Sequence, residues 1–334
     1  MNFSNKKILF RCDAGFKNEL GSGHLFRSIT IARYLIKRFK LKSNQIVFII
    51  RVNKSYYNTH DILKKYKFKV IKITKNIIDY SAYEAKFLNQ LNGELIVIDR
   101  LGKIGRKFVN FALANFKKKI IIDDSSANRK FFDLTFNPLI TNVKNYKNSF
   151  IGLKYFISPL YFYRQQKNRL LNRGIFIYLG NLKNTNLVVK LLNIITQVTN
   201  QPIYLPFDYS KKFKLSKIKN KFYFFKNHEY YTFMQNSNLV IISGGMSLYD
   251  ALFLKKKIIC IPQFKHQKQN ISKNKVSNKI TFLDKKSKKF DKELGIEISY
   301  SINEKNLIKD NKIINMKNMD LTLKKIGNLL NDQR

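Results

Sequence analysis

The chain has 334 residues, room for two domains of about 150 residues each, and its 44% hydrophobic content, with 28 Phe and 18 Tyr, excludes a disordered polymer. Its formal charge of +43 comes from 64 basic against 21 acidic side chains; most are Lys scattered along the chain, so they read as a solvated, anion-attracting surface, with a true polyanion-binding face as the alternative. Cys12 and Cys260 alone exclude a disulfide framework or a zinc ligand set, and no apolar run reaches the ~18 residues of a membrane span.

From the N terminus, short β-rich apolar runs alternate with amphipathic stretches: KKILFRC, LFRSITIARYLIKRF, QIVFIIRV, KFKVIKI, ELIVIDR and KKIIIDD. That alternation marks βα units stacked on a parallel sheet. The pattern breaks at the aromatic, Pro-containing segment near 150–169 and restarts with RGIFIYLGN, NLVVKLLNIITQV, QPIYLP, NKFYFFK, NLVIISGGMSLYDALFL and KKIICIPQ. The expected fold is α/β, with two Rossmann-like domains facing a cleft: residues 1–158, residues 165–310, and a C-terminal helix or tail over 311–334. Ligands of such sheets bind at the C-terminal ends of the strands.

In the first half, the strand ending at Arg11 leads through Asp13 to the loop and helix start GSGHLFR. Gly21 and Gly23 allow close backbone approach, and the helix carries an apolar stripe at Leu25, Ile29, Ala32 and Leu35. His24 sits in the first turn, where the helix dipole disfavours an imidazolium and leaves a neutral ring, the form a general base needs. Read plainly, Ser22 caps the helix and His24 is only exposed. Arg11 and Asp13 at the same strand edge tip the reading toward a site, as do the strand-end polar groups Asp99, Arg100, Asp123 and Asp124, although an Asp after a strand also caps turns. Asp123 and Asp124, adjacent in an extended chain, point to opposite sides, so no metal is proposed.

In the second half, a strand ends at Ser243, Gly244 and Gly245 form a tight turn, and a helix begins at Met246; a diphosphate fits such a helix start. Asp250, inside that helix, has the reach to accept ribose hydroxyls, or is simply a solvated helix residue. Gln263, His266 and Gln267 follow the next strand and suit hydrogen bonding to sugar or phosphate, or form a polar loop. Gly180 after the first strand, and Asn186 at the next helix, complete the set.

On these segments the chain resembles the nucleotide-sugar hydrolases of the pseudaminic acid pathway and the related spore-coat polysaccharide proteins, two-domain members of the glycosyltransferase-B superfamily. The likeness runs from FRCDAG and GSGHLFRSITIARYL through ELIVIDRLG and IIIDDSS to YLGNLKNTN and IISGGMSLYDALFLKKKIICIPQFKHQKQN. It implies that His24 is the catalytic base; beside it, Arg11 and Asp13 are expected, from their place at the same strand edge, to orient the sugar or His24. It also implies that Gly244, Gly245 and Asp250 hold UDP, Asp250 standing where the family more usually has glutamate. Gly21, Gly23, Arg27, Asp99, Asp124, Gly180, Asn186, Ser243, Met246, Gln263, His266 and Gln267 are the further candidate UDP or substrate contacts.

The implied reaction is hydrolysis of UDP-2,4-diacetamido-2,4,6-trideoxy-β-L-altropyranose by water attack at the anomeric carbon with inversion, without cofactor or metal. Two other readings stay open: a UDP-sugar-dependent glycosyltransferase of surface polysaccharide synthesis on the same fold, and a basic module that binds nucleic acid or membrane. The expected protein is cytoplasmic, a monomer or weak dimer, with a UDP-sugar as its partner and no nucleic acid.

Overall fold

The computed structural model describes residues 6–15, 21–52, 56, 59–74, 79–100, 102–163, 174–180, 185–210, 221–226, 228–273, 280–303 and 314–331. The chain divides into two compact units, Met1–Tyr161 with Ile313–Arg334, and Phe162–Lys312.

In the first unit the described elements are β1 (Ile8–Cys12), α1 (Gly23–Phe39), β2 (Ile46–Arg51), α2 (Thr59–Lys65), β3 (Lys69–Ile73), α3 (Ala82–Asn89), β4 (Gly93–Asp99), α4 (Arg106–Ala112), β5 (Phe116–Ile122), β6 (Leu134–Asn137) and β7 (Ser149–Ile151). Every pairing among these strands is parallel, in the order β3-β2-β1-β4-β5-β6-β7. Continuous apolar runs make this possible: β1 and β2 are buried along their whole length, as strands covered by helices on both faces must be. Leu9, Val47, Ile96, Ile98 and Ile121 pack against Leu88, Phe108 and Val109 of α3 and α4 on one face. The stripe of α1 is buried as its spacing requires, with Leu25, Ile29, Ala32 and Leu35 all under 4% exposed.

The second unit contains β8 (Ile175–Tyr178), α5 (Thr185–Val198), β9 (Ile203–Pro206), α6 (Phe207–Ser210), β10 (Phe222–Phe225), α7 (Tyr230–Asn236), β11 (Leu239–Ile242), α8 (Met246–Phe253), β12 (Lys257–Cys260), α9 (Lys265–Lys273), β13 (Thr281–Phe282) and α10 (Phe290–Asn303). Its sheet is again parallel, ordered β10-β9-β8-β11-β12-β13. In its core Val188, Leu191, Leu192 and Ile195 of α5 pack with Ile175, Ile177, Leu239, Ile241 and Ile259, and Phe176 stacks on Phe225.

The last described helix, α11 (Met316–Asn331), belongs to the first unit. Met319 receives the Ser158 amide on its sulfur at 3.4 Å, Asp320 accepts from the Tyr161 hydroxyl at 2.9 Å, and Asn328 accepts from Arg38 of α1 at 2.9 Å. The sequence shows an amphipathic helix there but not its docking face. No described helix is long and apolar enough to cross a membrane.

Each sheet reverses its winding between its first and fourth strands: β1 beside β4 in one unit, β8 beside β11 in the other. Loops leaving the two strands at such a switch point diverge and open a crevice beyond the strand ends.

Candidate active site

At the first unit's switch point, the helix that follows β1 meets the last residue of β4. His24, in the opening turn of α1, places Nδ1 2.7 Å from Oδ1 of Asp99. Burial raises the Asp99 carboxyl, but the Arg27 guanidinium and His24 outweigh it and hold it below the usual carboxylate range. An ionised carboxylate only accepts, so His24 donates Nδ1–H and keeps its lone pair on Nε2. The His24 side chain is 12% exposed while that of Asp99 is fully buried, so the ring reaches solvent and its carboxylate does not.

Arg27, one turn further along α1, is completely buried. Its Nε donates to Oδ2 of Asp99 at 2.8 Å and Nη2 to Oδ1 at 2.6 Å, a two-point clamp. Nη1 donates to Oδ2 of Asp123 at 2.7 Å, and Ser28 Oγ reaches Oδ2 of Asp99 at 3.4 Å. Ser22 stands before α1 without a side-chain cap bond, so its expected capping role is not seen. Gly21 is exposed and Gly23 opens the helix.

Arg11 and Asp13 lie in a neighbouring buried network, and His24 donates instead to Asp99, with Arg27 Nη2 3.4 Å from the same ring nitrogen. Arg11 Nε donates to Glu84 at 2.7 Å and its Nη1 pairs with Asp13 at 2.8 Å; Arg51 donates its amide and its Nε to Asp13 at 3.0 and 2.9 Å. Arg100 forks onto both oxygens of Glu84 at 2.6 and 2.8 Å, and Asp79 closes the group on Arg51 at 2.7 Å. Burial pushes the Glu84 carboxyl up, yet Arg100 and Arg11 pull it down to about 2. Asp13, likewise raised by burial, is held well below the usual carboxylate range by Arg11, Arg51 and Arg100. Three guanidiniums and three carboxylates thus balance beneath the strand ends.

The interior therefore claims several residues expected to touch substrate. Arg27 and Asp99 are sealed, and Asp124, fully buried, accepts the amides of Ile104 at 2.9 Å and Ser126 at 2.7 Å. Asp123 and Asp124 do face opposite ways, one toward Arg27 and the other toward the Ile104 loop. Among the described residues no three His, Cys, Asp or Glu side chains gather as a metal site.

Glu84 was not visible as a site residue in the sequence. Ser81-x-x-Glu84 is a helix-capping pattern, and the amide of Glu84 does bond Ser81 Oγ at 3.4 Å. The carboxylate meanwhile accepts the Tyr80 amide and two guanidiniums, which only the juxtaposition of β1, α3 and β4 can supply.

At the second unit's switch point, Gly180 after β8 adopts φ +75°, a left-handed conformation that favours glycine, and a Cβ there would lie 3.6 Å from Ser243 Oγ. Ser243, buried, ends β11, and Gly245 precedes α8 with Met246 as the first helical residue. Gly244 is packed tightly: a Cβ would meet Ile271 Cδ1 at 2.8 Å and Gln267 Cβ at 3.0 Å, whereas one at Gly245 would meet nothing closer than Gln267 Nε2 at 3.7 Å. Gln267 of α9 accepts the Gln263 amide at 2.8 Å, and Gln263, before that helix, accepts from Lys285 at 3.0 Å, so Gln267 is held against the glycine turn. His266 stacks on Phe264.

Asp250 is 4% exposed and accepts the Tyr231 hydroxyl at 3.2 Å, so it is an interior helix residue and not a solvated one. Burial and Asp250 together push the Tyr231 phenol well above its ordinary value, keeping it a donor. Asn186 is exposed on α5. Residues 181–184 lie outside the described residues.

Comparison with known proteins bears on the architecture. The structure matches MurG of Acinetobacter baumannii over 98% of this chain and 100% of that one, with a TM-score of 0.60 at 11% identity. LpCGTa in complex with UDP matches over 98% and 100%, with a TM-score of 0.65 at 7% identity, and the spinosyn rhamnosyltransferase SpnG over 97% and 96%, with a TM-score of 0.60 at 11% identity. The fold is of the glycosyltransferase-B class. In sequence, an uncharacterized protein of Methanocaldococcus jannaschii is 26% identical over 282 residues, 75% of this chain and 55% of that protein, so the chain spans about half of that relative's length. No protein-family model matches the chain.

Proposed function

We propose that the protein hydrolyses a UDP-activated 2,4-diacetamido-2,4,6-trideoxy sugar to UDP and the free amino sugar, with His24 as general base. The observation that carries this reading is the Asp99–His24 pair, which leaves Nε2 of a partly exposed imidazole as proton acceptor. Water would lose a proton to Nε2 as its oxygen bonds the anomeric carbon. The bond from that carbon to the β-phosphate oxygen breaks, and its electron pair leaves with UDP.

The glycine turn of the second unit supports the nucleotide side of the reading. Gly245, where an added Cβ would meet only Gln267 Nε2 at 3.7 Å and Ser243 Oγ at 3.9 Å, precedes the N-terminus of α8, and such a helix start suits a diphosphate. LpCGTa, which shares the fold, was solved with UDP. Asp250, held by Tyr231, would face the ribose only if that hydroxyl were displaced or shared.

A transferase reading is favoured by one observation, the fold shared with the rhamnosyltransferase SpnG. There an acceptor hydroxyl replaces water at His24. Incubation of the protein with UDP-2,4-diacetamido-2,4,6-trideoxy-β-L-altropyranose, without acceptor, separates the two by NMR. Stoichiometric UDP and free sugar at an unchanged rate when acceptor is added is the expected result. An intact sugar nucleotide that turns over only with acceptor would overturn hydrolysis.

A further inference from the structure

Asp123 ends the path that leads back from His24, and its geometry is that of an anchor. It follows β5 in a left-handed backbone conformation, φ +53°, that non-glycine residues adopt at a cost and that Asp tolerates better than most. One oxygen fixes the turn, accepting the Leu139 and Ile140 amides at 3.0 and 3.4 Å; the other accepts from Arg27 at 2.7 Å. The guanidinium is thereby held on β5 at one end and on both oxygens of Asp99, at the tip of β4, at the other. A planar fork with one edge spent on each carboxylate has no freedom left to rotate.

We propose that Arg27 and Asp123 are positioning residues for His24: Asp123 holds Arg27, Arg27 holds Asp99, and Asp99 holds the Nδ1–H tautomer that leaves Nε2 as the base. The inference rests on the reading of His24 as the base. Charge is the second half of the device. Two carboxylates face one guanidinium, so the cluster carries one net negative charge while His24 is neutral, and becomes neutral when His24 takes the proton of water. Without Asp123, Arg27 would cancel Asp99, and protonating His24 would create an uncompensated buried charge.

The remaining groups facing the cluster do not supply that charge. Ser28 on α1 is neutral; Cys12 on β1, registered opposite Asp99, is pushed far up by burial and by Asp99 and stays a thiol. Asp124 is turned toward the amides of Ile104 and Ser126. The network of Arg11, Asp13, Arg51, Asp79, Glu84 and Arg100 is balanced within itself.

The test uses the full-length protein and two variants. Asp123→Asn keeps an oxygen for the Leu139 and Ile140 amides and removes the charge; Arg27→Lys keeps the charge and removes the fork. With only four histidines in the chain, the ring nitrogens of His24 are assigned in 15N-histidine-labelled protein by comparison with His24→Asn, and read without substrate. The wild type is expected to show a single Nδ1–H tautomer. Both variants are expected to show mixed tautomers and a kcat reduced about tenfold or more with KM within about twofold. A wild-type tautomer in both variants would overturn the proposal. The ring signals are independent of turnover, so a variant-sensitive tautomer in a protein that releases no UDP would uphold the clamp and refute hydrolysis.

Discussion

His24 and Asp99 are 75 residues apart in sequence and 2.7 Å apart in space, brought together because β1 and β4 are neighbours at the point where the first sheet reverses its winding. The carboxylate is sealed and ionised, and the ring it holds is partly open. This pairing assigns the tautomer that a base needs.

Asp99→Asn is expected to reduce turnover by about 100-fold or more, since an amide can present its NH2 to Nδ1 and invert the tautomer. It also weakens the two-point clamp on buried Arg27, whose charge Asp123 still balances, with a loss of about 1–3 kcal/mol of stability. Steady-state kinetics and denaturant unfolding of the same preparation measure the two effects separately. Wild-type kcat in this variant would remove Asp99 from the account.

Acid should unfold the first unit through its carboxylates. Glu84 lies at about 2 in the folded state against 4.5 for the ordinary side chain, and Asp13 and Asp99 are also lowered. A group whose folded value is depressed contributes stability above its unfolded value and loses it as pH falls toward the folded one. For Glu84 that contribution is about 3 kcal/mol, lost between roughly pH 5 and 2. Thermal melting followed by circular dichroism should therefore fall steeply across that range, and Glu84→Gln should start lower at pH 7 and show a shallower slope. An equal slope in both proteins would contradict the assignment.

Gly244 and Gly245 make opposite forecasts. At Gly244 an added methyl meets Ile271 and Gln267 well inside contact distance, so Gly244→Ala should displace α9 and cost about 1–3 kcal/mol. At Gly245 there is room and φ is −83°, so Gly245→Ala should leave stability unchanged. If a diphosphate approaches the backbone there, Gly245→Ala should still weaken UDP binding by about tenfold. Isothermal titration with UDP, alongside thermal melts, distinguishes packing from ligand approach.

The parallel sheets were legible in the sequence because buried parallel strands are written as unbroken apolar runs, and the start of α1 at Gly23 followed from its flanking glycines and its stripe. His24 stands out in the sequence as a lone histidine between a glycine turn and an amphipathic helix, which places it in the first turn of α1. Roles set by partners distant in sequence were not. Arg27 and Asp99 read as candidate ligand contacts because strand ends and helix starts face ligands in general; the structure spends them on each other. Glu84 was masked by a capping pattern that it also fulfils, and nothing local to Asp250 announces the Tyr231 hydroxyl 19 residues away. Sequence spacing shows which edge of the sheet a polar group occupies. Which cation it meets there depends on strand order, and that is a property of the whole fold.

The central claim is attack of His24-activated water on the anomeric carbon. The most direct measurement is turnover of UDP-2,4-diacetamido-2,4,6-trideoxy-β-L-altropyranose in 18O-water by the wild type and His24→Ala, with the released UDP examined by 31P NMR. The account predicts UDP free of label on its β-phosphate and a rate in His24→Ala lower by a factor on the order of 10²–10⁴. Label on that phosphate, or a wild-type rate in the variant, would contradict it.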